Sequence, residues 1–380
     1  MRKKVIVAGH ICLDMTPFFP ESGRSKVSEI LMPGKLVETK GISISTGGAV
    51  ANTGLAMKIL GADVRLMGKV GTDEIGEMIC NILKRYDADR DMIRAEKEPS
   101  SYSVVLAIPG IDRIFLHCPG ANDSYGADDI QEEALREADL FHFGYPPLMK
   151  KMYEEDGREL IELFRRAKEQ GCATSLDLAA VDPESNAGKA NWKRILKSVI
   201  PYVDFFVPSI EELCYMLDEE RFKEWQERAG DRDITEVIDV DHDIRPLADQ
   251  CMALGCKVLL LKCGVPGLYY RTASRDVIDE ISPKISLDPE AWAGKEGFER
   301  SYKPDAILSG TGAGDTSIAA YLTSVLEGDT AEECIRLAAA TGACCVSAYD
   351  ALSGLKPLEE LRKRIADGWE KATETGRKGL

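Results

Sequence analysis

Apolar positions along the chain fall into two recurring patterns: short unbroken runs closed by glycine, and longer stretches with an apolar residue every three to four positions. The first run, Val5-Ile6-Val7-Ala8 closed by Gly9, reads as a buried strand. Residues 49–60 have helical periodicity, follow a glycine pair and stop at Gly61, a residue suited to end a helix. A strand over 64–68 and a helix over 74–86 follow. Residues 102–108 and 113–118 have β character and flank Pro109-Gly110-Ile111-Asp112, which predicts a hairpin with a loop longer than two residues.

Beyond residue 140 the two patterns alternate. Strands are predicted over 140–143, 173–176, 204–207 and 257–261, with helices over 153–170, 189–200, 210–217 and 244–254 between them. Such alternation predicts a parallel sheet with helices on both faces. The last third predicts a strand over 306–308, a glycine-rich turn, and helices over 315–326, 331–346 and 358–368. Residues 17–40 are rich in Pro, Gly, Ser and charge and read as a protruding loop or small strands. Residues 218–243 and 282–303, dense in charge or in Pro and Gly, read as insertions. The acidic run from Asp218 reads as a solvated face.

A length of 380 residues fits one large α/β domain with an accessory piece, or two domains. The formal net charge of −16 argues against nucleic-acid and membrane partners, since both are anionic. A phosphorylated cosubstrate then needs local positive potential from helix N-termini, Mg²⁺ or a few Lys and Arg. Eleven cysteines are scattered without CxxC pairs, no secretory signal is present, and no stretch has membrane-spanning length. These features predict reduced thiols in a cytoplasmic protein. The four histidines, His10, His117, His142 and His242, lack metal-ligand spacing, and His117 and His142 read as packing residues. Cys12 and Cys118 could line a pocket, but no base is identifiable beside either. Residues 239–243 resemble the start of an EF-hand loop, but Ile244 and Gln250 stand where that loop needs Gly and Glu.

The strongest local signal is Ser309-Gly310-Thr311-Gly312-Ala313-Gly314-Asp315-Thr316, placed between a strand and a helix. Consecutive glycines let backbone N–H groups converge, and a helix N-terminus adds positive partial charge. Such a cradle suits a phosphoryl group in transfer, and an Asp at its mouth can take the proton of an attacking hydroxyl. Asp315 can also be read as an N-cap after a flexible loop. A dinucleotide loop fails, because the chain runs on into Leu326-Glu327-Gly328-Asp329 and another helix where an acidic strand end is needed. No Walker A pattern is present. The second signal is Ser45-Thr46-Gly47-Gly48-Ala49-Val50-Ala51-Asn52. Glycines permit close approach of a polar ligand, and the Asn amide both donates and accepts. Alone, it reads equally as a plain strand-to-helix turn.

Together, the two motifs resemble the signatures of the ribokinase-like (PfkB) family of carbohydrate kinases. Gly61, Gly68, Gly71, Asp73, Gly76, Pro119-Gly120-Ala121-Asn122 and Lys262-Cys263-Gly264-Val265-Pro266-Gly267 match further family segments in order. The resemblance runs from Val5 to about Leu361. It implies a single three-layer α/β/α domain with a mostly parallel central sheet and a small β-stranded lid built from about 15–45 and 100–118. It implies that Asp14, Gly47, Gly48 and Asn52 bind substrate hydroxyls, that Asp315 is the base, and that the amides of Gly312, Ala313 and Gly314 form the anion hole. It also implies that Lys262, Gly264, Gly267 and Gly342 approach ATP, that Glu212 handles Mg²⁺, and that the lid serves as a homodimer surface.

The chain departs from the family in four places. The family's Asn-x-x-Glu motif reads Ser209-Ile210-Glu211-Glu212, and Ser309-Gly310 replaces the Asp-Thr before the second motif. Asp177-Leu178-Ala179 replaces Asp-Pro-Asn, and the acidic sugar contact of ribokinases is replaced around Gly144. The last two changes argue against ribose. The expected activity is ATP-dependent phosphorylation of a hydroxyl, primary by expectation, on a sugar or sugar derivative. The alternatives are a nucleoside kinase of the same fold and a catalytically weak sugar- or nucleotide-binding protein.

Overall fold

The apolar run at the N-terminus becomes the centre of a sheet because it is apolar on both faces. In the computed structural model, which describes residues 2–20, 27–109 and 114–372, this run is strand β1 (Lys4–Gly9). Val5 and Val7 point into one core and Ile6 and Ala8 into another, as a two-residue side-chain period requires. In chain order the other strands are β2 (Cys12–Pro17), β3 (Ile42–Gly47), β4 (Asp63–Met67), β5 (Lys69–Gly71), β6 (Ile93–Ala95), β7 (Tyr102–Leu106) and β8 (Ile114–Cys118). They continue with β9 (Leu140–Gly144), β10 (Ala173–Leu176), β11 (Phe205–Phe206), β12 (Val258–Lys262), β13 (Gly267–Thr272) and β14 (Glu296–Arg300).

Eight strands form one sheet in the order β14-β13-β12-β11-β10-β9-β1-β4. The six from β12 to β4 run parallel, and β13 and β14 are added antiparallel. One face carries the helices Ala49–Ile59, Ala313–Glu327 and Ala331–Cys345. The other carries Arg158–Glu169, Trp192–Val199, Ile210–Leu217 and Arg245–Ala253. This is the three-layer α/β/α architecture expected from the sequence. A second sheet, β3-β2-β7-β8, stands off the first as a lid. Ile42, Ile44, Phe115 and Leu116 are exposed on it. The tip of the β7–β8 hairpin and part of the expected loop at 17–40 lie outside the described residues.

Two expectations need correction. Residues 306–308 form no strand: Ile307 and Leu308 are exposed, and the Leu308 N–H donates to Val346 O at the end of helix Ala331–Cys345 (2.8 Å). The helix expected over 153–170 begins only at Arg158, because Glu155, Asp156 and Gly157 take left-handed backbone angles that break it. The two stretches read as insertions carry structure of their own. Residues 282–303 supply β14 and the buried Trp292, which packs edge-on to Phe205 and Tyr321. Residues 218–243 include helix Glu219–Ala229, whose Trp225 is fully buried and donates Nε1–H to Asp243 (2.9 Å). The acidic run is therefore solvated on its outer side only.

Candidate active site

The parallel strands end at one edge of the sheet, where α/β proteins place their ligands. β1 stops at Gly9, and the His10 N–H donates to Gly144 O at the end of β9 (3.2 Å). The chain then crosses into the lid. Buried Asn122 fixes this crossing: its Nδ2 donates to Ile11 O (2.9 Å) and its Oδ1 accepts from Ile11 N–H (3.3 Å). The expected segment 119–122 is thus a brace between sheet and lid.

Asp14 lies on β2, opposite Ser45 of β3 and beside Ser103 of β7. Its carboxylate presses on Gly47, where a Cβ would come within 2.2 Å of Oδ2. Burial raises the Asp14 pKa above the usual carboxylate range, against hydrogen bonds from Cys12 and Ser103. Gly48 caps helix Ala49–Ile59 with φ 88°, and a Cβ there would strike His10 O at 2.5 Å and Nδ1 at 2.6 Å. Positive φ and a missing side chain are both needed, so only glycine fits.

Helix Ala49–Ile59 presents Asn52 and Thr53 to Asp315. Asp315 sits in the first turn of helix Ala313–Glu327, which starts from Gly312 at φ 77°. Asp315 is buried, and its carboxylate is fully engaged. Oδ2 accepts from Asn52 Nδ2 (2.9 Å) and Oδ1 from Thr53 Oγ1 (3.4 Å). The Tyr145 phenol donates to both oxygens, at 2.7 and 2.9 Å. Burial, with Asp315 and Asp177 nearby, pushes the Tyr145 phenol well above its ordinary value, so it stays a donor. The first-turn amides of this helix have no acceptors four residues back, which leaves them to an anion. The Ala313 N–H makes a long bond to Gly310 O (3.3 Å).

Lys262 closes the site from behind. Its Nζ contacts Asp177 Oδ1 at 2.5 Å, donates to Val207 O (2.8 Å), and its stem packs on Gly314. Burial alone would lower the Lys262 pKa, but Asp177, Glu212 and Asp315 outweigh it and hold the ammonium protonated. Ser209 and Glu212 form a reciprocal capping box on helix Ile210–Leu217: Glu212 Oε2 accepts from Ser209 N–H (2.8 Å), and Ser209 Oγ from Glu212 N–H (3.2 Å). Ser209 thus serves as a helix cap where the family carries Asn.

Contacts through His10 and Tyr145 join Asp14, Gly47 and Gly48 to Asp315, which Asn52 bonds directly, and Lys262 packs on the adjoining Gly314. A side chain at Gly267 or Gly342 would strike Glu299 O or Ser317 Oγ. Gly264 packs against Thr235. Sequence reasoning missed His10, Thr53, Tyr145 and the part played by Asp177. His10 is 2% exposed, and both its ring nitrogens are buried without a partner. Its ring lies 5.4 Å from that of His117 and 6.2 Å from that of Tyr145. Burial, with His117 adding, holds His10 down to about 3, so it is neutral. His117 is more than the packing residue expected: its Nδ1 shares a hydrogen bond with Ser103 (3.0 Å) at the pocket wall. His142 is a core residue, as expected, bonded to Ser175. The available sequence signal for Tyr145 was an aromatic hydroxyl directly after a buried strand and before a Pro pair.

Among the described residues, no helix is long and apolar enough to cross a membrane. The family model for pfkB carbohydrate kinases matches residues 2–357. The chain is 24% identical over 303 residues to an uncharacterised sugar kinase of Archaeoglobus fulgidus, covering 79% of this chain and 98% of that one. It is also 24% identical over 340 residues to probable fructokinase-4 of Arabidopsis thaliana (87% and 90% covered). Among solved structures it resembles the Arabidopsis thaliana ribokinase complexed with ribose and ATP, with a TM-score of 0.68 at 20% identity (96% and 98% covered). It resembles the Methanocaldococcus jannaschii nucleoside kinase with 0.64 at 18% (96% and 98%), and an Escherichia coli putative ribokinase II in complex with ATP and Mg²⁺ with 0.67 at 18% (96% and 99%). Architecture, motif placement and a family match over nearly the whole length agree, and the chain belongs to the pfkB family of carbohydrate kinases.

Proposed function

We propose that this protein transfers the γ-phosphate of ATP to a primary hydroxyl of a neutral sugar or sugar derivative held between lid and sheet. The observation that carries the reading is the buried Asp315 carboxylate, set in the first turn of a helix that starts from Gly312 and bonded to Asn52. Asp14, Gly47, Gly48 and Asn52 hold the acceptor. Asp315 takes the hydroxyl proton, the oxygen bonds to the γ-phosphorus, the bond to the β-phosphate oxygen breaks, and ADP leaves. The amides of Gly312, Ala313 and Gly314 stabilise the charge on the transferring group, and Lys262 adds positive potential from below.

ATP lies toward Gly264 and Gly267, with the helix around Gly342 walling the adenine. Exposed Ile307, Leu308 and Tyr349 supply apolar surface there. Mg²⁺ fits as a companion of the nucleotide. Among the described residues no three His, Cys, Asp or Glu converge on a point, and Mg²⁺ is ordinarily held by one or two carboxylates plus substrate phosphates. Glu212 is the carboxylate in place, and the ion supplies charge neutralisation on the phosphates. The protein acts in the cytoplasm, and the exposed apolar residues of the lid suit a second copy of the chain.

One observation favours a second acceptor class: the rings of His10, His117 and Tyr145 form a wall on which a nucleoside base could stack. ADP release from Mg·ATP over a panel of hexoses, pentoses, sugar acids, polyols and nucleosides separates the two. Turnover on sugars is expected; turnover on nucleosides alone selects the second reading, and none on any acceptor removes both.

A further inference from the structure

We propose that Tyr145 is a placeholder on the catalytic base: its hydroxyl occupies the position on Asp315 that the acceptor hydroxyl takes, and it withdraws when the acceptor binds. The inference rests on the phosphotransfer reading given above.

The coordination of Asp315 leads to it. The phenol oxygen is nearly equidistant from Oδ1 and Oδ2, so it fills the sector between the two oxygens. Asn52 takes a further direction on Oδ2, and Thr53 one on Oδ1. An acceptor alcohol must donate its O–H to this carboxylate before it can be deprotonated, and in the sector between the two oxygens it meets the Tyr145 hydroxyl. Asn52 and Thr53 are held by a helix packed into the core, and the Asn52 N–H is bonded to Gly48 O (2.9 Å). Tyr145 instead sits on a single left-handed residue (φ 68°) between the end of β9 and Pro146. It is the one donor of the three carried by an irregular segment rather than by that helix. It is also the chemical match for the ligand it gives way to, since both are hydroxyls donating to a carboxylate.

A second observation points to a missing ligand at the same place. The ring of His10 stands beside that of Tyr145, buried, neutral, and with neither nitrogen partnered. A neutral imidazole can donate from one nitrogen and accept at the other, which suits the hydroxyls of a polyol placed against Tyr145.

The placeholder has a function. With ATP bound and no acceptor, a water on Asp315 would give its proton to the carboxylate, bond to the γ-phosphorus and break the bond to ADP, releasing phosphate. The phenol holds that place, and its own raised pKa keeps it from acting as the nucleophile.

Tyr145→Phe keeps the ring and removes the hydroxyl. Expected in the variant is acceptor-independent Mg·ATP hydrolysis at least about fivefold above the unsubstituted enzyme, abolished when Asp315→Asn is added. Also expected is a KM for the turned-over acceptor roughly three- to tenfold lower at similar kcat, the span set by one hydrogen bond. Unchanged or lower basal hydrolysis overturns the proposal, as does a fall in kcat at constant KM, which would make Tyr145 a fixed support of the base. Basal hydrolysis needs no acceptor, so it decides the placeholder even if no acceptor stimulates the unsubstituted enzyme, the result that defeats the phosphotransfer reading itself.

Discussion

Lys262 places one buried positive charge among Asp177, Glu212 and Asp315, and replacing it with Met shows what that charge holds in place. Asp177 is 1% exposed and receives the ammonium at 2.5 Å. Breaking a buried pair from one side typically costs about 3–5 kcal/mol. Burial, with Glu212 and Asp315 adding, already raises the Asp177 carboxyl to about 8 against the pull of Lys262, so on losing the ammonium it keeps a proton rather than a lone buried charge. A drop in melting temperature of about 4–6 °C follows for a chain of this size. The pH dependence carries the signature. Burial pushes the Asp177 carboxyl up to about 8 even with Lys262 beside it, and losing the ammonium pushes it higher, so the deficit is flat from pH 5.5 to 7 and grows as the pH rises through 8. Adding Asp177→Asn removes the stranded carboxyl and recovers most of the loss. Thermal melts of the four proteins at pH 5.5, 7.0 and 8.5 decide the matter. A deficit independent of pH, or two substitutions whose effects simply add, would refute the reasoning.

Two further predictions follow from burial and backbone geometry. Burial holds His10 and His142 down to about 3, so the folded protein keeps both neutral while the unfolded chain protonates them below about pH 6.5; each therefore removes up to about 1.4 kcal/mol of stability per pH unit on acidification through that window. Comparing the melting curves of the unsubstituted protein and His10→Gln from pH 7.5 to 5 isolates His10, because Glu211, pushed up to about 7 by burial, titrates there with the opposite sign; equal slopes would contradict the prediction. Gly312→Ala forces a side chain onto φ 77°, at about 1–2 kcal/mol for the backbone alone, and drives its Cβ to 2.3 Å from that of Ala351. The variant should melt several degrees lower and lose turnover, and an unchanged melting temperature would count against the geometry.

Much of the architecture was legible because its signals are local. β1, β9, β10 and β12 are apolar on both faces, and Gly61 and Gly312 mark helix ends by backbone angles that other residues rarely adopt. β14 escaped because it is the sheet edge, where half-burial leaves room for Glu and Arg, and β13 beside it because its Tyr, Arg and Thr blur the apolar run. Residues 306–308 misled for the opposite reason: an apolar run need not be buried, and this one faces outward. In the site, Asp315, Asn52 and Asp14 were found through motifs. Tyr145 and His10 were not, since their importance comes from contacts across 170 and 135 residues of chain, which no local spacing encodes.

The most direct test of the central claim is Asp315→Asn, assayed by ADP release on the best acceptor of the panel, with Mg·ATP binding measured on the same sample by calorimetry. Loss of the base should lower kcat by about 10²–10⁴ while ATP binding and melting temperature stay close to those of the unsubstituted enzyme. Turnover within tenfold of the unsubstituted enzyme, with ATP bound normally, would show that Asp315 does not take the proton.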